Sequence, residues 1–244
     1  MWDRWFVRDS YYSHGILIPF VSGFLIWQQR SKLTDLPQIR SRWAVPLIIA
    51  GLTIHLISSV LRVYFSSGFS MIIVLSGLIL YFYGSAVFKK ISFPVAFLIF
   101  MVPIPLVVIS GISFKLKIFA AELSETILNN LRLPAIREGS MIKMRHTYIM
   151  VDDVCSGLRS LISLTALASI FAFWLRGGIA KKVVVFLSSI PIAIITNVFR
   201  IVLLSAISEI WGAQYAMGFT HDFTGFLVFA LAFVLLFMVV KLLE

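Results

Sequence analysis

The sequence predicts an all-α membrane protein, a polytopic transmembrane helical bundle of about seven spans. Hydrophobic residues make up 60% of the 244 residues and charged residues 13%, whereas soluble proteins contain about 25% charged residues. Several apolar runs reach about 18 residues, long enough to cross a bilayer as a helix. The mean hydropathy of +0.98 agrees. We therefore expect one transmembrane domain over residues 1–244 and no separate soluble domain.

The net charge of +10 does not indicate a nucleic-acid partner. Lysines and arginines fall mostly in short loops between apolar runs, which is typical of topology signals in a protein whose partner is the lipid bilayer. A single cysteine excludes an internal disulfide, and no CxxC or His/Cys cluster indicates a metal. No cofactor is implied. The first residues lack the layout of a cleaved signal peptide.

Seven apolar runs define the expected spans. A turn at Ser66–Gly68 separates spans two and three, Lys89-Lys90 ends span three, and three prolines predict a kink or early exit in span four. A loop at Ser205–Thr220 precedes the last span. The spans are Ile16–Trp27 (lengthened to begin near Tyr11), Trp43–Phe65, Phe69–Phe88, Ile91–Ile112, Leu158–Leu175, Val183–Leu204 and Phe223–Val240.

The segment between spans four and five differs in kind. Phe114–Leu131 alternates apolar and charged residues at helical spacing, which predicts an amphipathic interfacial helix. Ile136–Val151 is β-prone and predicts a short hairpin that turns near Arg145-His146. Because the other short loops rich in Lys and Arg lie on the opposite side of the membrane, the positive-inside rule makes this segment extracytoplasmic and the C-terminus cytoplasmic.

Three polar residues of the last spans are expected at one membrane depth. A helix rises about 1.5 Å per residue. Cys155 lies 21 residues from Arg176, Arg200 lies 18 residues from Lys182, and His221 lies 20 residues from Lys241. Each separation is about one hydrocarbon thickness, so all three residues are predicted at the outer face.

These residue types can perform nucleophilic catalysis together. A thiol attacks as the thiolate, which a helix N-terminus or a nearby cation favours. Cys155 would be the nucleophile, His221 the general base and then acid, and Arg200 the donor that stabilises an oxyanion. The alternatives are a packing cysteine, a snorkelling arginine and a capping histidine. Asp152 and Asp153 would oppose thiolate formation.

Five short segments, spread from Tyr12 to Phe226, resemble the exosortase/archaeosortase family, so the resemblance extends over nearly the whole chain. Cys155–Leu161 (CSGLRSL) matches the family's nucleophile motif. His221, which begins the last of the five segments, favours the bacterial type. The other four segments are Tyr12–Pro19 (YSHGILIP), Pro103–Pro105 (PIP), Pro191–Ile201 (PIAIITNVFRI) and His221–Phe226 (HDFTGF).

The resemblance implies a membrane-embedded cysteine transpeptidase of the cell inner (cytoplasmic) membrane. Its expected partners are exported proteins that end in a sorting signal of the PEP-CTERM type, with a transmembrane tail, and an acceptor nucleophile whose identity stays open. Cys155, Arg200 and His221 would be catalytic. The acidic residue that precedes the motif in the family is here the offset pair Asp152-Asp153, so its role is open.

Three further residues are candidates for substrate binding. Arg159 lies one turn after Cys155 and would bind a substrate carboxylate or pair with an aspartate. Asn197 would orient Arg200 or join helices, and His14 would line the site or cap a helix. Two other functions stay open: a purely hydrolytic intramembrane protease, and a transporter or scaffold for envelope polysaccharide.

Overall fold

The computed structural model describes Trp5 and residues 10–151, 157–216 and 219–244, and only the main chain of residues 216, 219, 221 and 222. The chain is 78% helical with a few short strands, which confirms the all-α membrane fold. It divides into two compact units, Met1–Pro105 and Leu106–Glu244. That the whole chain acts as one domain stays a prediction.

The first unit contains four long helices. A 3-10 turn over Ser13–Ile16 precedes the first of them, a single helical turn over Arg30–Leu33 follows it, and the 3-10 turn Leu98–Met101 prolongs the fourth. The four helices are α1 (Leu17–Gln28), α2 (Ala44–Val60), α3 (Tyr64–Phe82) and α4 (Gly84–Phe97).

Helices α2 and α3 form an antiparallel hairpin that packs through two glycines. A Cβ added at Gly51 would lie 2.6 Å from Val74 Cγ2, and one added at Gly77 would lie 2.7 Å from Ile48 Cγ1. Small residues let helix backbones approach closely, which favours association inside a bilayer. The two glycines therefore set the spacing of this hairpin.

The expected turn at Ser66–Gly68 is wrong, because these residues lie inside α3. The Ser70 hydroxyl donates to Ser67 O at 2.7 Å within α3. The hydroxyls of Ser66 and Ser67 lie 2.7 Å from Ser58 Oγ and 3.0 Å from His55 Nδ1 of α2, respectively, so they join the two helices. The turn falls earlier, at Arg62, whose φ is 55°.

Span three also does not end at Lys89-Lys90. Helix α3 ends at Phe82, and Gly84 breaks the chain with a φ of +80°. A side chain there would collide with the Ile39 carbonyl. The two lysines lie exposed within α4 instead.

The predicted early exit of span four is confirmed. Val102 is extended, with φ −81° and ψ 116°, because the residue before a proline is driven out of the helical region. The N-terminal turn packs on this break: the Ile104 amide donates to Tyr12 Oη at 3.0 Å. Trp5 Nε1 donates to Met101 O at 3.2 Å.

The second unit, as far as it is described, combines four long helices and the short helix Ala213–Ala216 with a small antiparallel sheet of order β1-β2-β3. The hairpin expected near Arg145-His146 is confirmed as β2-β3, and a further hairpin at Gly139-Ser140 adds β1. The elements are α5 (Leu106–Asn130), β1 (Ile136–Glu138), β2 (Met141–Lys143), β3 (Tyr148–Met150), α6 (Leu158–Trp174), α7 (Ile179–Trp211) and α8 (Phe219–Leu243).

Helices α6, α7 and α8 share one buried core. Small residues from each helix, Ala168, Ala193 and Ala232, lie in it beside Leu164 and Leu236, and all five are almost fully buried. A second core places Ile142 of β2 with Ala121 of α5 and Ile201 of α7, among others. The sheet is thereby fixed to α5 and α7.

The loop expected at Ser205–Thr220 is mostly helix. Helix α7 runs on to Trp211, and at 33 residues it is about 50 Å long, which exceeds a hydrocarbon core of about 30 Å. Polar groups in its last turns bond to the β2-β3 turn: Glu209 Oε2 accepts from the His146 amide at 3.2 Å, and Ser208 Oγ lies 2.8 Å from Thr147 Oγ1.

Four of the described helices are long and apolar enough to cross a membrane. Three shorter apolar helices coincide with the remaining expected spans: Ser13–Gln28, Ala44–Val60 and Leu158–Trp174. The four long ones are Tyr64–Phe82, Gly84–Met101, Ile179–Trp211 and Phe223–Leu243.

Replacing Gly77 by leucine should destabilise the α2-α3 hairpin, because its side chain would meet Ile48. Overpacking of this kind costs about 1–3 kcal/mol, so we expect a lower melting temperature in detergent. Gly23→Leu is the matched control, since nothing lies within 4 Å of a Cβ at that position. Equal melting temperatures of the two variants would contradict the packing described.

Candidate functional site

Arg200 and Asn197 lie one turn apart in α7 and are both buried. Arg200 is 8% exposed and Asn197 is 4% exposed. Residues three apart on a helix share a face, so the two side chains belong to one polar patch. Intramembrane polar residues of this kind are costly and tend to be functional.

Gly225 of α8 makes the space that the Arg200 guanidinium occupies. A Cβ added at Gly225 would lie 3.3 Å from Arg200 Nη2 and 3.6 Å from its Cζ. Gly225, in the segment His221–Phe226, therefore contacts Arg200, in the segment Pro191–Ile201.

Gly157 contacts Asn197 in the same way. A Cβ at Gly157 would lie 2.9 Å from Asn197 Cγ and 3.0 Å from its Nδ2. Gly157 immediately precedes α6 and has a left-handed φ of +78°, a region that favours glycine. The segment Cys155–Leu161 thus contacts the segment Pro191–Ile201. With Gly225, three of the five segments meet around α7.

The predicted nucleophile, Cys155, lies outside the described residues, as do Asp152 and Asp153. The residues on either side of this segment, Val151 and Gly157, are described. Val151 is 1% exposed and belongs to the same buried cluster as Val198 and Ile201. On the other side, Gly157 contacts Asn197. Val151 thus shares a buried cluster with the stretch of α7 that Gly157 contacts, and Arg200 lies on that stretch.

Contacts at the far end of α7 and α8 agree with the depth estimate. Lys181 Nζ donates to Leu243 O at 2.5 Å. Arg200 follows Lys181 by 19 residues and Gly225 precedes Leu243 by 18 residues, so the two antiparallel helices are in register along their length. Arg200 and Gly225 lie at the same level, about 27–29 Å from the Lys181 end.

The position of His221 lies in the first turn of α8, four residues before Gly225. Positions four apart lie on the same helix face, so His221 is placed one turn beyond the glycine that contacts Arg200. Arg159 lies in the first turn of α6, half-buried, two residues after Gly157.

His14 belongs to the first unit. It lies in the 3-10 turn Ser13–Ile16, with its ring centroid 6.2 Å from that of Tyr12. This turn is the one that packs on the break near Pro103, so the two N-terminal motifs contact each other. The roles of all six candidate residues stay predictions.

A small apolar cleft reaches the motif residues from the side of α5. It is lined by residues of α5, α6 and α7, including Leu116, Phe119, Leu161, Ile194, Gly157 and Asn197. Within the described part of the chain, no three His, Cys, Asp or Glu residues are grouped as metal ligands would be.

Helices of spanning length, a buried arginine and three motifs that meet around one helix define a polytopic membrane protein with a buried polar site. A family model described as transmembrane exosortase matches residues 2–238. The chain therefore belongs to the transmembrane exosortase family. No curated protein and no solved structure matches it.

Sequence reasoning missed the two glycines as site residues, although both stand in the motifs. Gly157 and Gly225 offer no chemical group, so a search for nucleophiles, bases and cations passes over them. Their signal was a glycine at fixed spacing from a polar residue, since Gly225 follows His221 by one turn and Gly157 follows Cys155 by two residues.

Gly157→Ala should destabilise the second unit. The substitution combines a left-handed φ with a Cβ only 2.9 Å from Asn197, and such strain costs about 1–3 kcal/mol. Gly111→Ala is the control, because its Cβ meets nothing within 4 Å and alanine favours helix by up to about 1 kcal/mol. Chemical denaturation in detergent should order the proteins Gly111→Ala, wild type, Gly157→Ala. A Gly157→Ala protein as stable as wild type would contradict the contact.

Proposed function

We propose that the protein is a membrane-embedded cysteine peptidase and transpeptidase. It cleaves the C-terminal sorting signal of exported proteins, of the PEP-CTERM type, and transfers the cleaved protein to an acceptor. The supporting observation concerns Val151 and Gly157, the described residues on either side of the Cys155 segment. Val151 shares a buried cluster with the stretch of α7 that carries Arg200 and Asn197, and Gly157 contacts Asn197.

In the first step, the Cys155 thiolate attacks the carbonyl carbon of the scissile peptide bond. The carbonyl oxygen becomes an oxyanion, which the Arg200 guanidinium stabilises by charge-assisted hydrogen bonds. Because Arg200 is buried, its interaction with a developing negative charge is screened less than it would be in water. A pre-placed guanidinium needs no reorganisation as the charge forms.

His221 moves the proton. It takes the thiol proton from Cys155 as a base and then gives it to the leaving amine as the C–N bond breaks. The products are the free C-terminal tail and a thioester between Cys155 and the exported protein.

In the second step, an acceptor amine attacks the thioester carbonyl and the Cys155 sulfur leaves. The amine loses its proton to His221, and the Cys155 thiol is restored. If water takes the place of the amine, the same site hydrolyses its substrate. Analysis of the product separates the two, because transfer leaves the protein joined to a new group.

Three residues would serve binding. Arg159 lies in the first turn of α6, within the nucleophile motif, where its guanidinium would bind a carboxylate of the sorting signal. Asn197 contacts Gly157 and lies one turn from Arg200, so it would orient the arginine relative to the Cys155 segment. His14, next to the break at Pro103, would line the site.

The site would face outward from the cell inner membrane. The support is the distribution of Lys and Arg, which places the C-terminal end of α8 in the cytoplasm. The Arg200 end lies about one hydrocarbon thickness away. Substrates would be cut outside their own membrane span, after export.

Cys155→Ala should abolish cleavage. The test is co-expression with a tagged exported protein that bears a PEP-CTERM-type tail, followed on a gel. Wild type should shorten the tagged protein and Cys155→Ala should leave it intact at equal enzyme level, because alanine has no nucleophile. Cleavage that survives the substitution would refute the assignment of the nucleophile. An intact tail with both proteins would refute the proposed substrate.

A further inference from the structure

The two outer edges of the small sheet differ in how their main-chain groups are satisfied. On the β1 edge, the Arg137 amide points away from β2 and donates to Glu125 Oε1 at 3.0 Å. Glu125 Oε2 also lies 3.6 Å from Arg137 Nε. A side chain of α5 thus caps this edge, a common way to protect an edge strand.

The β3 edge is open. The Met144 amide donates to Thr147 O at 2.8 Å, and the Val151 amide donates to Ser140 O at 2.9 Å. Because paired residues of an antiparallel ladder alternate in direction, residues 147, 149 and 151 bond toward β2. The main-chain groups of Tyr148 and Met150 therefore point outward, and they bond to none of the described residues. Their side chains are 64% and 51% exposed.

This open strand is held rigidly. Ile142 of β2 is fully buried against α5 and α7, and Ile149 points to the same face. At its start, β3 is fixed by the bonds from His146 and Thr147 to the end of α7. A main-chain edge on a rigid support can accept an additional strand with little loss of entropy.

The open strand also leads directly into the candidate site. Met150 precedes Cys155 by five residues, a distance of at most about 18 Å along an extended chain. A peptide of about five extended residues therefore reaches from the β3 edge to the residue predicted to cut it.

We propose that the outer edge of β3 binds the peptide substrate as a fourth strand, with the main-chain groups of Tyr148 and Met150 pairing with the extended segment next to the scissile bond. The inference rests on the proposed function. An edge of alternating donors and acceptors is complementary to an extended main chain, and strand addition of this kind is a general mode of peptide recognition. A membrane helix satisfies its main-chain groups internally and has none to pair with such an edge.

The outer face of the sheet supplies contacts for alternate side chains of such a peptide. An open cleft of about 630 Å³ runs along β2 and β3. Its lining combines apolar side chains with the ion pair between Lys143 Nζ and Glu138 Oε2, 2.6 Å apart. The apolar lining residues include Met141, Met144, Tyr148 and Met150.

Photocrosslinking tests the placement. p-Benzoylphenylalanine is introduced in place of Tyr148 or, as the matched control, in place of Ile136. Both positions align with Lys143 on the same sheet face, and Ile136 is 68% exposed, but it lies on the capped strand. The full-length enzyme also has Cys155→Ala, so that the tagged PEP-CTERM-type tail is not consumed. We expect an adduct with the tail from position 148 at least tenfold above that from position 136. Equal adducts, a stronger adduct at 136, or none at 148 would overturn the proposal.

A kinetic comparison tests the pairing itself. Met150→Pro removes the outward amide, and proline is tolerated on strand edges, whereas Met150→Val keeps the amide. We expect the KM for the tail to be at least tenfold higher for Met150→Pro than for Met150→Val, with similar kcat. Equal KM values would refute strand addition. If wild type fails to cut the tail, the proposed function fails, and the crosslink still decides whether the β3 edge binds it.

Discussion

The burial of one cation, Arg200, is the constraint on which the second unit depends. A buried charge is costly unless it is paired and hydrogen-bonded, and Arg200 is 8% exposed. The neighbouring helices accommodate it through residues without side chains: Gly225 leaves room for the guanidinium, and Gly157 closes on Asn197 one turn away. Because each contact comes from a different motif, the three motifs meet at one stretch of α7. Arg200 and Asn197 of α7 thus contact one glycine at the start of α6 and one near the start of α8.

Much of the fold could be predicted, because long apolar runs in the sequence indicate spanning helices. What failed were the boundaries, and for a physical reason. A serine hydroxyl can bond to a carbonyl of its own helix, as that of Ser70 does, or to a neighbouring helix, as that of Ser67 does, so a serine pair is no reliable turn. Lysines such as Lys89 stay exposed inside a helix. The decisive breaks came from single residues in left-handed conformation, Arg62 and Gly84. The helical continuation of α7 past Ser205 depends on tertiary partners in the β2-β3 turn, which local sequence does not reveal.

The candidate site could be predicted in outline from spacing. Counting residues from the basic ends placed Arg200 and His221 at one depth, and the register of α7 with α8 agrees with that count. The contacts between motifs could not be predicted, because they depend on which helix faces meet. The difference between the capped β1 edge and the β3 edge could not be predicted either. It depends on Glu125 of α5, which in the sequence is only part of an amphipathic pattern. Charge and periodicity locate elements, whereas complementary shape decides their neighbours.

The central claim is that Arg200, positioned by Gly225, stabilises an intermediate on Cys155. The most direct measurement is mass spectrometry of the enzyme quenched with acid during turnover of the tagged tail. Since Cys155 is the only cysteine, a hydroxylamine-sensitive adduct can be located without ambiguity. We predict a thioester on the peptide containing Cys155 in wild type, and at least tenfold less in Gly225→Val, whose side chain would displace the guanidinium, than in the control Gly111→Val. An adduct on Ser156, or equal adducts in the two glycine variants, would contradict the account.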